Sequence, residues 1–367
     1  MKDISELKQI LGDFLDWNNA RLTCFTQMLV ALFAVRTVNL RELATAFSSP
    51  ALLDSRHKRL KRFFAQFRVA QAILARWTFA LFFSSTSKVY LTIDRTNWFL
   101  GKSKINVLTL GVAHEGMAIP LFWQCLPKAG NATAAEHQEI IERFIKHFGI
   151  DPILGVLADR EFGSGTLFQW CNEQKIPFYI RIKEDSIVRV GNQKIAKAEK
   201  FFRDVSPKKI KVFPMKIEIF GQKVHLTGSR SERGELMVVA TNSCPKQAIA
   251  VYLRRWEIEV LFACLKGRGF RFEDTRLTHL DRIETLIALL SVGAAWAHKV
   301  GEWKAEKKPI KLNQYRESKR PQYSYFRYGA DMIREAILVG FQSLAPIIHC
   351  LKIPPSAQNL CSAGELA

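Results

Sequence analysis

The chain has 367 residues, 48% of them apolar, and 54 lysines and arginines against 34 acids give a formal charge of +20 and a pI near 9.8. That length leaves room for two or three domains with proper cores, and that apolar share excludes wholesale disorder. The charge favours a polyanion, nucleic acid first. No apolar run approaches the roughly 20 residues of a clean membrane span, and MKDISELKQILGDF lacks a signal-peptide core. A cytoplasmic, nucleoid-associated protein with no membrane partner is expected. Seven cysteines without a Cys-x-x-Cys argue against a zinc framework, and eight dispersed histidines each read as structural.

Residues 1–85 read as all helical. Cys24 to Val35 is a compact apolar stretch. Asn39-Leu40-Arg41-Glu42 is a capping box that opens a short helix from Leu40 to Phe47. Ser48-Ser49-Pro50 breaks it, and a second helix follows carrying Arg56, Lys58, Arg59, Lys61 and Arg62 before Phe63-Phe64. Helix, tight turn and basic helix fit a DNA reader of helix-turn-helix type. An ordinary bundle with a solvated charge run fits equally well on this region alone, and the overall charge favours DNA.

From Lys88 the pattern changes to strands. Val89 to Asp94, Ile105 to Ala113 and Met117 to Cys125 predict an antiparallel meander, the last two joined by His114-Glu115-Gly116. A helix from Ala134 to Phe148, a strand from Ile153 to Asp159, a helix near Ser164 to Gln174 and a strand from Pro177 to Ile182 follow. The order βββαβαβ is that of a ribonuclease H-like mixed sheet with flanking helices, between α+β and α/β in class. Residues 183–245 are rich in β-formers and in lysine (Lys194, Lys197, Lys200, Lys208, Lys209, Lys211, Lys216) and read as an insertion. It is either a clamp over DNA or a stability element with a basic surface.

Ala248 to Lys266 predicts one helix, stopped by Gly267-Arg268-Gly269. Tyr252, Arg255, Glu259 and Lys266 fall within roughly a 60° arc, with Ile258, Leu261 and Leu265 across from them. Alone, Arg255 and Glu259 are no more than an i,i+4 pair. Two strands ending in Asp94 and Asp159 change that, because carboxylates at neighbouring strand ends can bridge divalent metals and Glu259 can complete the set. Oxygen ligands suit Mg²⁺ or Mn²⁺, and two ions about 4 Å apart serve phosphodiester transfer. Asp281 to Val300 predicts an apolar helix packed on the sheet. Residues 303–327 interleave bases with aromatics as a DNA-tracking segment or a solvated linker, a last helix runs from about Asp331 to Ser343 or beyond, and the tail from Pro354 reads as frayed. The expected divisions are therefore 1–85, a core of 86–182 with 246–301, the insertion 183–245, and 302–367.

Asp94-Arg95-Thr96-Asn97-Trp98, Asp159-Arg160-Glu161-Phe162, a β-rich insertion and then Tyr252-x2-Arg255-x3-Glu259-x6-Lys266 together resemble DDE transposases of bacterial insertion sequences. More narrowly, the chain resembles the group with the Tyr-x2-Arg-x3-Glu-x6-Lys signature, over about residues 36 to 340. The resemblance implies that Asp94, Asp159 and Glu259 bind two catalytic Mg²⁺ or Mn²⁺ ions. Cleavage at transposon ends and strand transfer into target DNA would follow, in a homodimer that synapses two inverted repeats. It implies that Tyr252, Arg255 and Lys266 hold the DNA backbone, with Arg95 and Arg160 as further phosphate contacts or as partners of a neighbouring acid. The sequence departs in one respect: members that form a hairpin stack a flipped base on a Trp of the insertion, and residues 183–247 contain none. Whether a hairpin intermediate forms is therefore left open by the sequence. The alternatives are another metal nuclease on the same fold, or a non-catalytic DNA-binding relative.

Overall fold

The residues at strand positions 89–125 alternate between two apolar faces, and this alternation builds a sheet covered on both sides. A computed structural model describes residues 2–101, 103–191, 194–313, 320–339, 344–354, 357–358 and 360. Five helices open the chain: α1 (Lys2–Gly12), α2 (Asn19–Val35), α3 (Leu40–Thr45), α4 (Leu53–Gln66) and α5 (Gln71–Phe82). The meander is β1 (Val89–Leu100), β2 (Ser103–His114) and β3 (Met117–Cys125). Then come α6 (Ala134–Phe148), β4 (Ile153–Ala158), α7 (Gly165–Glu173) and β5 (Phe178–Ile182). Thr133 and Glu136 cap each other's backbone at the start of α6, as a capping box does.

The insertion forms β6 (Ile187–Val190), β7 (Lys194–Lys197), β8 (Ile210–Val212), β9 (Ile217–Ile219), β10 (Gln222–Arg230) and β11 (Leu236–Thr241). It is continuous with the rest of the sheet. β11 pairs antiparallel with β5, so all eleven strands make one sheet in the order β3-β2-β1-β4-β5-β11-β10-β9-β6-β7, with β8 also on β10. β1, β4 and β5 run parallel to one another. Val188, Phe202, Ile217, Leu226 and Val238 of the insertion share a core with Ile93, Leu110, Phe144 and Ile180.

The expected single helix from Ala248 to Lys266 is two: α8 (Ala248–Leu253) and α9 (Trp256–Leu265). After them run α10 (Leu280–Lys307), α11 (Tyr325–Val339) and α12 (Ala345–His349). α11 begins six residues before the expected start at Asp331, and residues 340–343, expected at its end, lie outside the described residues. So do residues 314–319 of the basic, aromatic segment and most of the tail beyond Pro354. α10 is long and apolar enough to cross a membrane by length and composition, but 89% of its most apolar window is buried inside the protein.

Sheet alternation assigns the faces. Leu91, Ile93, Leu108, Leu110, Val156 and Ala158 point to the side covered by α6 and α7. Val107 and Ile119 point to the other side, where α9 and α10 lie, while Leu157, Tyr179 and Val239 on that same side meet α8. Residues 1–85, expected as a unit of their own, share this second core: Phe25, Leu32, Phe64 and Trp77 pack in one cluster with Leu261, Leu289 and Trp296.

Candidate active site

Two helices that rest on different parts of one sheet must be joined above the boundary between those parts. α8 covers β4, β5 and β11, and α9 covers β1 to β3. Their joint, Arg254-Arg255, therefore stands over the seam between β1 and β4. Across the joint the backbone bonds shorten to i→i−3: Arg255 N–H donates to Tyr252 O, Glu257 N–H to Arg254 O and Ile258 N–H to Arg255 O. Such bonding is 3₁₀-like and eclipses residues three apart, so Tyr252 and Arg255 come together.

Asp94 and Asp159 lie at the same seam. β1 does not end at Asp94 as expected but continues to Leu100, pairing with β2. What ends is the parallel ladder with β4, whose last pair is Ile93 with Ala158. Asp94 and Asp159 are each the next residue, and alternation turns both toward the helix side. Each Oδ1 accepts the following backbone N–H at 2.7 Å, from Arg95 and Arg160.

One side chain ties the acids together. Arg255 donates through Nη1 to Asp94 Oδ2 at 3.1 Å, through Nη2 to Glu259 Oε1 at 2.5 Å and through Nε to the Tyr252 hydroxyl at 3.2 Å. The Tyr252 hydroxyl in turn donates to Asp159 Oδ1 at 3.3 Å. Asp94, Asp159 and Glu259, from three distant segments, thus share one network. The planar fork of Arg255 sets the Asp94 and Glu259 oxygens no more than about 8 Å apart. Burial pushes the Asp94 carboxyl up to about 6, and Glu161 and Glu259 add to the rise against the opposing Arg95 N–H and Arg255. Burial also pushes Tyr252 up to about 12, with Asp159 adding and Arg255 opposing. Burial works against the charge of Arg255 itself, yet Tyr252, Glu259 and Asp94 hold its pKa above the ordinary value.

Several of the residues expected to contact DNA meet other partners in this structure. Tyr252 and Arg255 are 1% and 3% exposed and face the acids, so neither presents itself to a phosphate in this state. Arg95 is also turned inward. Its Nε and Nη2 meet Glu161 at 3.2 and 3.0 Å, and Asn106 and Asn131 accept its remaining donors. Lys266 reaches Glu273 at 2.9 Å and lies 5.3 Å over the Trp98 ring. Arg160 is exposed beside Asp159, and Trp256, half exposed, lies 5.2 Å from the Arg255 guanidinium. In the basic helix, Arg56 donates to Phe47 O and Arg59 to Ala20 O, which makes them links between helices; Lys58, Lys61 and Arg62 are exposed.

Sequence reasoning missed Glu161, Asn106 and Asn131, which hold Arg95 beside the site. Asn106 carried a signal, being a polar residue in the middle of the apolar run INVLTL and 1% exposed in the fold. It also missed Arg254, whose Nη2 donates to Ala113 O at 2.8 Å and so anchors the joint to the end of β2.

Three carboxylates with only oxygen donors form a set that a hard divalent cation accepts. The raised Asp94 carboxyl fits as well, because crowded, partly buried acids lacking a bound cation retain protons. The residues present are therefore compatible with divalent metal, which would have to compete with Arg255 for Asp94 Oδ2 and Glu259 Oε1.

Among curated proteins no match was found. One similar solved structure is a cryo-EM structure of a piggyBac transposase synaptic complex with hairpin DNA. It is 10% identical with a TM-score of 0.45, over 91% of this chain and 75% of that one. A family model described as the transposase DDE domain matches residues 102–296, more than half of the chain. The chain belongs to the DDE transposase family.

Proposed function

We propose that this DDE transposase is of the bacterial insertion-sequence group marked by Tyr252, Arg255, Glu259 and Lys266, with a ribonuclease H-like core. In this reading Asp94, Asp159 and Glu259 hold two Mg²⁺ or Mn²⁺ ions, and the protein cuts double-stranded DNA at transposon ends and joins them to a target. The observation that carries the reading is the single hydrogen-bonded network in which Arg255 and Tyr252 link all three acids. Nothing in DNA binding alone calls for three carboxylates over one seam of a basic protein.

Divalent cations bound there would polarise the scissile phosphate and favour the deprotonated attacking oxygen. The chain's own residues do the rest. Arg255 neutralises Asp94 and Glu259 while the site waits, and Tyr252 keeps Asp159 in line with them. Arg95, locked to Glu161, stiffens the strand that carries Asp94. Exposed Arg160 meets the phosphate backbone close to Asp159, and Lys58, Lys61 and Arg62 track it further off. The active form is a homodimer that pairs two inverted repeats.

The test is strand transfer by the purified protein on its own element's end DNA with Mg²⁺ or Mn²⁺, beside Glu259→Gln. Cleavage and joining by the parent, both lost in the variant, are expected. Cleavage without joining would indicate a nuclease on the same fold, and binding with no chemistry a DNA-binding relative.

A further inference from the structure

A second group of metal-ligand side chains lies away from the three acids. His114 ends β2, and His298 and Glu302 sit one turn apart on α10. Their candidate ligand atoms all lie within 4.8 Å of one another. His114 Nε2 is 2.6 Å from Glu302 Oε1 and His298 Nε2 is 3.4 Å from the same oxygen. The rings of Phe82, Phe83 and Tyr325 wall the group at centroid distances of 5.2 to 5.9 Å from the imidazoles. Among the described residues Lys299 also meets Glu302, and it takes the opposite oxygen, Oε2, at 3.1 Å. Oε1 is left to the histidines.

His298 is the observation that points to a ligand. It is 0% exposed, and among the described residues its Nδ1 has no hydrogen-bond partner, while Nε2 meets only Glu302 Oε1, at an ion-pair distance of 3.4 Å. A polar group so buried and unmet is costly, on the order of 1–3 kcal/mol.

We propose that His114, His298 and Glu302 bind one zinc-class divalent cation, independently of the acids at the β1–β4 seam. Two imidazoles and a carboxylate are a donor set that such ions favour, and the neutral imidazole is the ligand form. Ligands at about 2.0–2.1 Å in a tetrahedron stand roughly 3.3 Å from each other, the separation His298 and Glu302 already have. His114 has to draw back from Glu302 by less than an ångström, and the two imidazole nitrogens, which lie within 4.8 Å of each other, have to settle to the same separation. Three protein donors leave a fourth position for water. Mg²⁺, which prefers oxygen, would not compete.

The site has a structural consequence. It fastens α10 to the end of β2, next to Ala113, whose carbonyl receives Arg254 of the α8–α9 joint. The cation would brace the joint that aims Arg255 at the acids.

The full chain, freed of metal by a chelator and dialysed, is titrated with Co²⁺ and followed by its visible d–d absorption, then by isothermal titration with Zn²⁺. One ion per chain is expected, giving an intense tetrahedral-type band that Zn²⁺ displaces and excess Mg²⁺ does not. Asp94→Asn retains the band. His114→Gln and Glu302→Gln, checked for folding by circular dichroism, weaken binding by at least about tenfold, the least that even an outer-sphere loss costs such sites. Absence of the band in the parent protein, or an unchanged band in either folded variant, would overturn the proposal.

Discussion

Arg255 shows how much one residue can be asked to do when its geometry is right. Its fork spans two carboxylates and a phenol at once, and only a planar guanidinium has donors at those three angles. Lysine has the same charge and three donors, but all on one nitrogen, so Arg255→Lys cannot keep the forked geometry that reaches all three partners. Arg255→Met leaves Asp94 and Glu259 charged and unneutralised in a half-buried site. Breaking a buried pair from one side costs about 3–5 kcal/mol. Because Glu259 is itself 39% exposed, the lower end of that range is expected for Met, and less for Lys. Urea denaturation of both variants checks it; a stability equal to the parent's would mean that the network carries no energy. The residues of this network were legible in the sequence, since the spacing puts Tyr252, Arg255 and Glu259 on one arc. Their direction was not. A cation beside a candidate catalytic Asp reads as a phosphate contact or as the partner of an acid, and only the fold shows that Glu161, 66 positions away from Arg95, occupies it.

Among the elements, local ones were readable and non-local ones were not. Met117–Cys125 and Ala134–Phe148 follow from a short continuous apolar run and a cap, both encoded within a few residues. The pairing of β11 with β5 joins segments about sixty residues apart, and no local pattern announces it. The break at Arg254-Arg255 has no Gly or Pro to mark it. It arises because Tyr252 and Ile249 pack on one set of strands and Ile258 and Leu261 on another, so the cause lies in the sheet beneath. Glycines, by contrast, do mark one helix crossing. A Cβ at Gly329 would stand 1.9 Å from Ala297 O, and one at Gly301 would stand 1.9 Å from Tyr325 O. In both cases the obstacle is backbone, so α10 and α11 cross at a distance that only glycine allows. Gly329→Ala must push the helices apart, at a cost of about 1–3 kcal/mol or more. It should lower the thermal midpoint although alanine is the better helix former by about 1 kcal/mol. A variant as stable as the parent would show that the crossing is looser than these distances.

At the scale of the whole molecule, +20 charges must be kept from repelling one another and made available to a polyanion. Part of the basic set is spent internally: Arg56 and Arg59 hold helices, Arg95 and Arg255 hold acids. The remainder is grouped. Arg41, Lys61 and Arg62 of α3 and α4 face Arg276 and Arg282, which precede and open α10, across a groove of about 530 Å³ that also holds His57. Asp54, which pairs with Arg41 at 2.8 Å, is the acid seen to offset them there. A groove lined by five cations from two parts of the chain suits a phosphate backbone, and it requires no base-reading contact. Lys61→Glu combined with Arg62→Glu should therefore weaken binding to transposon-end DNA and to unrelated duplex by the same factor. If each lysine or arginine neutralises one phosphate, the slope of log K against log salt becomes shallower by about two. Titration of both duplexes at several salt concentrations distinguishes the outcomes. A loss confined to the end sequence would mean that α4 reads bases, as a recognition helix does, and an unchanged slope would mean that the DNA runs elsewhere on the surface.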